Sequence, residues 1–308
     1  MIVCLSGGTG GAKMVDGLAQ VLGQSQLTVV VNTGDDNDFH GLRVCPDLDI
    51  CTYTLAGVVD QRGWGFAADT FRCLEGLATY GREAWFGLGD RDLATHIHRT
   101  LMRVDGATLT EITADICRRL GVGARLLPMS DDDVQTQIHT PTGPKGFQEY
   151  LVRDGAREEI ERIELVGVAS ATPAPGLLDA IGQADVIVIA PSSPVVSIGT
   201  ILAIPGVRAA VTARRDRVVA VSPIIGDRPI EGPADRFLAG VGEMECSARV
   251  MARLYSDVAG AFLIHETEPA EVIADVAATG MHPVPCDIVM GDRPRRAALA
   301  AAALEAVG

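Results

Sequence analysis

Short unbroken apolar runs, separated by stretches of helical periodicity, dominate this chain. Ile2-Val3-Cys4-Leu5 is such a run, the pattern of a strand covered on both faces. Met14, Val15, Leu18, Val21 and Leu22 then recur at helical spacing. Leu27–Asn32 is a second apolar run, so the chain from Ile2 to Asn32 reads as a βαβ unit with parallel strands. The same alternation resumes after a further strand run at Ile163–Val168, with strand runs at Val186–Ala190, Val218–Ser222, Ala261–His265 and Cys286–Met290, and helices between and after them. Gly176–Gln183 and the alanine-rich tail from Arg295 are two of those helices.

Residues 60–122 break this series. They hold no strong strand run and predict three helices: Phe66–Tyr80, one capped by Asp90 that extends to about Val104, and one opened by the capping-box spacing of Thr108 and Glu111. An all-helical block inside a βα series predicts an inserted subdomain or lid within one α/β domain spanning 1–308. Arg125–Pro128 predicts a short strand, Val134–Thr140 alternates as a half-buried strand does, and Gly146–Val152 predicts a helix.

The polar positions fall at the ends of the predicted strands, where open α/β sheets bind ligands. Ser6-Gly7-Gly8-Thr9-Gly10-Gly11-Ala12-Lys13 joins the first strand to the first helix. The first amides of a helix lack intrahelical acceptors and carry partial positive charge, and glycine lets a ligand approach them, so this turn predicts an anion site, most often for phosphate. It is neither a Walker A loop nor a full dinucleotide fingerprint, whose third glycine would fall on Lys13. A turn that needs glycine only for its backbone angles is the plainer alternative. Pro191-Ser192-Ser193-Pro194 begins a second strand-to-helix loop at the same sheet edge.

Asp35, Asp36 and Asp38 follow the second strand, and a divalent cation at one or more of them would relieve their repulsion. In Pro46–Gly57, Asp47 fits an N-cap and Asp49 the first turn, where complementing the helix dipole is its default role. Arg91, in the glycine-punctuated joint Gly87–Asp92, opposes the dipole at a helix start, which points to a ligand contact or to a salt bridge with an acid.

Composition narrows the classes. The formal net charge of −14 over 308 residues argues against nucleic acid, so an anionic ligand has to be held by glycine amides, a metal ion or single cations. Lys13 and Lys145 are the only lysines. Seven cysteines without CxxC spacing predict a reduced, cytoplasmic chain without a zinc site. No apolar stretch reaches the length of a signal peptide core or a membrane span. The six histidines form no HExxH pattern and there is no GxSxG elbow, so positioning and charge neutralisation are favoured over covalent catalysis.

Taken together, LSGGTGGAK at the N-terminus, VNTGDD at 31–36, GLRVCPDLDICTYTLAG at 41–57, WFGLGDRDLATHI at 85–97, LLPMSDDDVQTQIHT at 126–140, FQEYLVRDG at 147–155, APSSPVVSIGTIL at 190–202 and SPIIGDRPIEGPAD at 222–235 resemble the 2-phospho-L-lactate transferase family of coenzyme F-420 biosynthesis. The resemblance covers nearly the whole chain. It implies a Rossmann-like, mostly parallel sheet with an inserted helical part, and a homodimer. It implies Mg²⁺-dependent transfer of a phospholactyl or phosphoenolpyruvyl group from a guanosine diphosphate conjugate to the terminal ribityl hydroxyl of 7,8-didemethyl-8-hydroxy-5-deazariboflavin, with release of GMP. The family's deazaflavin contacts fall here on Asp49 and Arg91.

The nucleotide side then falls on Gly7, Gly8, Thr9, Gly10, Gly11 and Lys13, with Ser192 and Ser193 opposite. The metal falls on some of Asp35, Asp36 and Asp49, and the proton acceptor on Asp49 or Asp36. The chain departs from the family's common pattern at Ser193, where asparagine is usual, and at Glu231, where lysine is frequent. The rival expectation is a non-catalytic nucleotide-sugar or dinucleotide binder of a related cell-wall-control family. The PDLD helix together with GDRD argues against it.

Overall fold

The computed structural model describes residues 1–307. Its centre is a seven-stranded sheet of β1 (Ile2–Ser6), β2 (Leu27–Val31), β3 (Arg125–Pro128), β4 (Val186–Ile189), β5 (Val218–Val221), β6 (Ala261–His265) and β7 (His282–Cys286), in the spatial order β7-β6-β5-β4-β1-β2-β3. Every neighbouring pair is parallel. The sheet is covered on both faces: Val3 and Leu5 of β1 join one apolar cluster, Ile2 and Cys4 the other. That is why the runs read as continuously apolar rather than alternating.

The order reverses between β1 and β4. This is the Rossmann arrangement, whose ligand crevice opens at the reversal, beyond the carboxyl ends of the strands. β1 runs into α1 (Gly8–Leu22) there, and β2 runs into the acidic loop. The small antiparallel hairpin Asn37–Phe39 and Leu42–Val44 then leads into α2 (Pro46–Leu55). The segment 60–122 carries α3 (Arg72–Thr79), α4 (Asp90–Val104) and α5 (Leu109–Arg119), and the capping box of Thr108 and Glu111 is formed.

Four local expectations need correction. Residues 60–71 are irregular rather than helical, because Gly63, Gly65 and Ala68 take positive φ and Phe66 turns inward onto Tyr53. Asp90 is the first residue of α4, but its carboxylate accepts from the amides of Arg72 and Cys73 and so serves α3. The α4 amides of Arg91 and Asp92 bind Asp69 instead. Gly143–Gly146 is a strand beside Gln135–Thr140, followed by one π-turn over Glu149–Arg153. β7 lies four residues earlier than its apolar run, with Pro283 and Pro285 tolerated because it is a sheet edge.

Candidate functional site

The crevice at the reversal is built from two loops that clasp each other. Ser192 accepts a hydrogen bond from the Gly7 amide at 3.2 Å and donates to the Gly7 carbonyl at 2.7 Å, and it is buried. A Cβ at Gly10 would stand 2.6 Å from the Pro191 carbonyl oxygen, and one at Gly11 2.4 Å from Ser6 Oγ. A Cβ at Gly11 would also stand 2.8 Å from Ser192 Oγ and one at Gly7 2.7 Å from Ser197 Cβ, so close packing between the loops requires these three glycines, whatever they bind. Gly8 opens α1 with φ of 65° and faces free space. Ser193 turns back onto the amides of Val195 and Val196. Lys13 is paired with Glu231, and Thr9 Oγ1 donates to the same carboxylate at 2.6 Å.

The acidic side of the crevice is organised by a residue the sequence did not single out. Asn32, at the end of β2, donates to Asp35 and, at 3.0 Å, to Asp47, and accepts from the Gly34 amide at 2.9 Å. Asp47 is not an N-cap. Cys45 holds that position, Pro46 follows it as the first helical residue, and Asp47 and Asp49 both lie in the first turn of α2. Asp47 Oδ2 lies against the glycine turn, 2.9 Å from where a Gly7 Cβ would be.

Asp35, Asp36, Asp47 and Asp49 are all buried. Burial, with the charges of Asp47 and Asp36 added, pushes the Asp35 carboxyl well above the usual range. Burial pushes Asp36 up to about 7 against the pull of Arg43, and Asp47 up to about 6 against its bond from Asn32. Asp49 is raised by the same cause, opposed by Arg99 and His96. Neither oxygen of Asp36, and not Oδ2 of Asp49, has a hydrogen-bond partner.

Among the described residues no three His, Cys, Asp or Glu side chains gather as a ready cage for a metal ion. Asp35, Asp36 and Asp49 are thus not a preformed three-carboxylate site. Mg²⁺ is commonly held by one or two carboxylates, with water and substrate phosphate completing the octahedron. The orphaned oxygens of Asp36 and Asp49 are a donor set of that kind, and their residues fit the ion to that extent.

Beside the two loops lies a cavity of about 330 Å³, within the range of small-molecule sites. Gly8, Thr9, Asp47 and Asp49 form its polar wall. Trp64, Phe86 and Tyr53 supply aromatic surface, and Leu151 and Val152 close it from the π-turn. The helical insertion, which carries Trp64 and Phe86, also contributes Asp92 and His96. Phe86 is held by stacking on Phe39 at 4.1 Å.

Behind Asp49 sits a buried polar network. Arg99 donates to Asp49 Oδ1, to His96 Nδ1 at 3.0 Å and to the Arg43 carbonyl at 3.3 Å. Tyr53 donates to Asp92 Oδ1 at 2.7 Å. Asp92, His96 and Arg99 share one helix at three- and four-residue spacing, which faces them inward together. That spacing was readable in DRDLATHIHR; only their burial distinguishes them from an ordinary charged helix face.

Arg91 lies elsewhere. It is exposed, its guanidinium stacks over Phe66 at 4.8 Å and donates to the Ala67 carbonyl at 3.1 Å, and it is not among the residues lining the cavity. It makes no salt bridge with Asp92. The structure brings Asp49 and the glycine turn to one cavity and leaves Arg91 on the outer side of the segment that walls it.

Comparison with known proteins shows the family. A family model described as 2-phospho-L-lactate transferase CofD matches residues 2–304. A phosphoenolpyruvate transferase of Streptomyces griseus is 47% identical over 99% of this chain and 97% of its own. Proteins of the same name from Streptomyces coelicolor and Mycolicibacterium smegmatis are 45% and 40% identical, covering 98% and 100% of this chain and 97% and 98% of theirs. Among solved structures, a member of the UPF0052 family from Bacillus halodurans superposes with a TM-score of 0.65 at 18% identity, over 98% of both chains, a likeness of fold. No helix among the described residues is long and apolar enough to cross a membrane.

Proposed function

The chain belongs to the 2-phospho-L-lactate transferase CofD family, and from that premise we propose that it transfers a phosphoenolpyruvyl or phospholactyl group from a guanosine diphosphate conjugate to the ribityl hydroxyl of the deazaflavin, releasing GMP. That it is a transferase of this class in coenzyme F-420 biosynthesis follows from the family. The naming of its relatives as phosphoenolpyruvate transferases favours the enolpyruvyl donor. The observation that carries the reading is the single cavity joining the glycine turn at the sheet reversal to the buried Asp49, with aromatic walls suited to a planar ring system.

In this reading the free amides at the start of α1 receive the donor's phosphates, and the aromatic walls hold the deazaflavin. Asp49 Oδ2, free and buried, takes the proton of the ribityl hydroxyl as its oxygen bonds to the distal phosphorus and the GMP oxygen departs with the bonding pair. Arg99 keeps the other Asp49 oxygen occupied, so one acceptor atom is presented. Asp36, whose two oxygens are unpartnered, would hold Mg²⁺ with water and substrate phosphate completing its shell, and the ion would supply charge neutralisation there. The raised Asp36 is the second candidate for proton acceptance. The test is to offer purified protein the deazaflavin, Mg²⁺ and, in separate reactions, the enolpyruvyl and lactyl guanosine conjugates, and to weigh the products by mass spectrometry. A deazaflavin unchanged in mass with both donors overturns the reading.

A further inference from the structure

Gln148 is the one carboxamide among the side chains that line the cavity. It stands just before the π-turn over Glu149–Arg153, and Leu151 and Val152 of that turn line the cavity with it. Turns of this kind are rare and recur at functional sites. This one is firmly seated. Tyr150 is buried and its hydroxyl donates to the Glu158 carbonyl at 2.8 Å, while the Gly146 amide donates to Glu149 at 3.0 Å. The Arg153 guanidinium lies 5.8 Å from the Trp85 ring, next in the chain to Phe86 of the aromatic wall.

Gln148 is 6% exposed. Its Nε2 donates to Asp35 Oδ2 at 3.4 Å. A carboxamide nitrogen carries two hydrogens and its oxygen accepts two bonds, so one N–H and all of Oε1 are left over. No group among the described residues donates to Oε1, and Oε1 is not one of the unpartnered atoms sealed from solvent, as Asp49 Oδ2 and both Asp36 oxygens are. It is open on the cavity side. Buried polar groups are seldom left half-satisfied, so a ligand that donates there is called for.

The chemistry of that ligand is restricted. Asp47 and Asp49 line the same cavity, and a further anion would be repelled by them. A cation would seek those carboxylates rather than an amide. A hydroxyl group donates to Oε1 and accepts from the spare N–H. The cavity also divides in two: Thr9, Asp47, Asp49 and Gln148 supply polar atoms, and Trp64 and Phe86 aromatic surface. A flat ring carrying a polyhydroxyl chain divides the same way.

We infer that Gln148 binds the secondary hydroxyls of the deazaflavin's ribityl chain and so helps to select the acceptor. This rests on the transferase reading above.

The experiment measures binding of two ligands by fluorescence titration: the deazaflavin, and an analogue whose ribityl chain is replaced by ω-hydroxypentyl, which keeps the ring and the terminal hydroxyl but lacks the secondary ones. The parent is expected to bind the complete ligand roughly tenfold more tightly than the analogue. Gln148→Met, similar in length but without the amide, should lose most of that preference while binding the analogue about as the parent does. Its affinity for GDP, which the glycine turn is proposed to hold, should stay within about twofold and reports that the variant is folded. Gln148→Asn, whose shorter amide keeps both functions, should recover part of the preference, and serves where Gln148→Met does not fold. A full preference retained in both variants, or a parent that binds the two ligands equally, overturns the assignment and leaves the transferase reading standing. Equal weakening of both ligands in Gln148→Met, with GDP affinity intact, also overturns it, because the contact would then be to the ring. A parent that binds neither ligand overturns both readings.

Discussion

Glu231 reaches from the segment after β5 to the start of α1 and pairs with Lys13 of its second turn, while its second oxygen accepts from Thr9 of the first. The only lysine near the glycine turn is thereby neutralised by the chain's own carboxylate, in the region where a donor phosphate is proposed to bind. The two side chains are 29% and 31% exposed, so solvent screens the pair and its contribution to stability is small. Its consequence is for binding: donor phosphate and Glu231 compete for Lys13 and Thr9.

Replacing Glu231 with glutamine is therefore expected to lower the donor's KM several-fold with little change in kcat, and Lys13→Met to raise it. Steady-state kinetics with donor varied at saturating deazaflavin decide it. An unchanged KM in Glu231→Gln would mean that Lys13 takes no part in donor binding.

Gly10→Ala tests how tightly the two crevice loops are matched. The added methyl would meet the Pro191 carbonyl at 2.6 Å, a backbone atom that cannot step aside cheaply. The expected loss is about 1–3 kcal/mol, read as a fall of a few degrees in the melting temperature, with weaker donor binding as the loops part. Gly8→Ala meets no atom but forces a left-handed backbone on alanine, at a cost of about 1–2 kcal/mol. Equal stability of Gly10→Ala and the parent would contradict the packing described here.

The sheet was legible because β1, β2, β4, β5 and β6 are buried on both faces and, His265 at the end of β6 apart, carry nothing but apolar or small residues. β7 was shifted because an edge strand admits Pro283 and Pro285, which a pattern search reads as punctuation. On the site side, the glycine turn and Asp49 were readable from position in the βα series. Asn32, Asp47, Asp92, His96 and Arg99 were not, since each is an ordinary polar residue whose meaning lies in burial. Only the fold brings the helical insertion onto α2 and places Arg99 behind Asp49. Arg91 attracted notice for opposing a helix dipole, and the structure answers that conflict locally, with Phe66 and the Ala67 carbonyl.

The buried carboxylates give stability a pH slope of definite sign. Asp36 and Asp47 have folded values of about 7 and about 6, both above the ordinary aspartate value. The folded state therefore binds protons more tightly than the unfolded chain. Their contribution is complete below about pH 4 and is lost as pH rises through about 6 to 7, amounting to as much as about 4 kcal/mol for Asp36. Urea unfolding between pH 4 and 8 should show Asp36→Asn with a flatter profile than the parent. Mg²⁺ favours the ionised carboxylates, so it should raise the parent's melting temperature more at pH 8 than at pH 5, and chelation should reverse the gain. A parent profile no steeper than that of Asp36→Asn would place the Asp36 carboxyl in an ordinary, hydrated state.

Asp49→Asn separates chemistry from nucleotide binding. The amide can still meet Arg99 through its oxygen, which leaves the NH₂ group where Oδ2 was, unable to accept a proton. Turnover should fall by roughly two to four orders of magnitude, the usual worth of a general base, while the affinity for a guanosine nucleotide stays within about twofold because the glycine turn is untouched. Single-turnover kinetics and calorimetric titration of GDP measure the two quantities independently. Parental turnover in Asp49→Asn would pass the proton-accepting role to Asp36, the other buried aspartate with unpartnered oxygens, which does not itself line the cavity. An equal loss of nucleotide affinity and turnover would instead mean that Asp49 acts on the donor side, through a metal ion shared with the diphosphate.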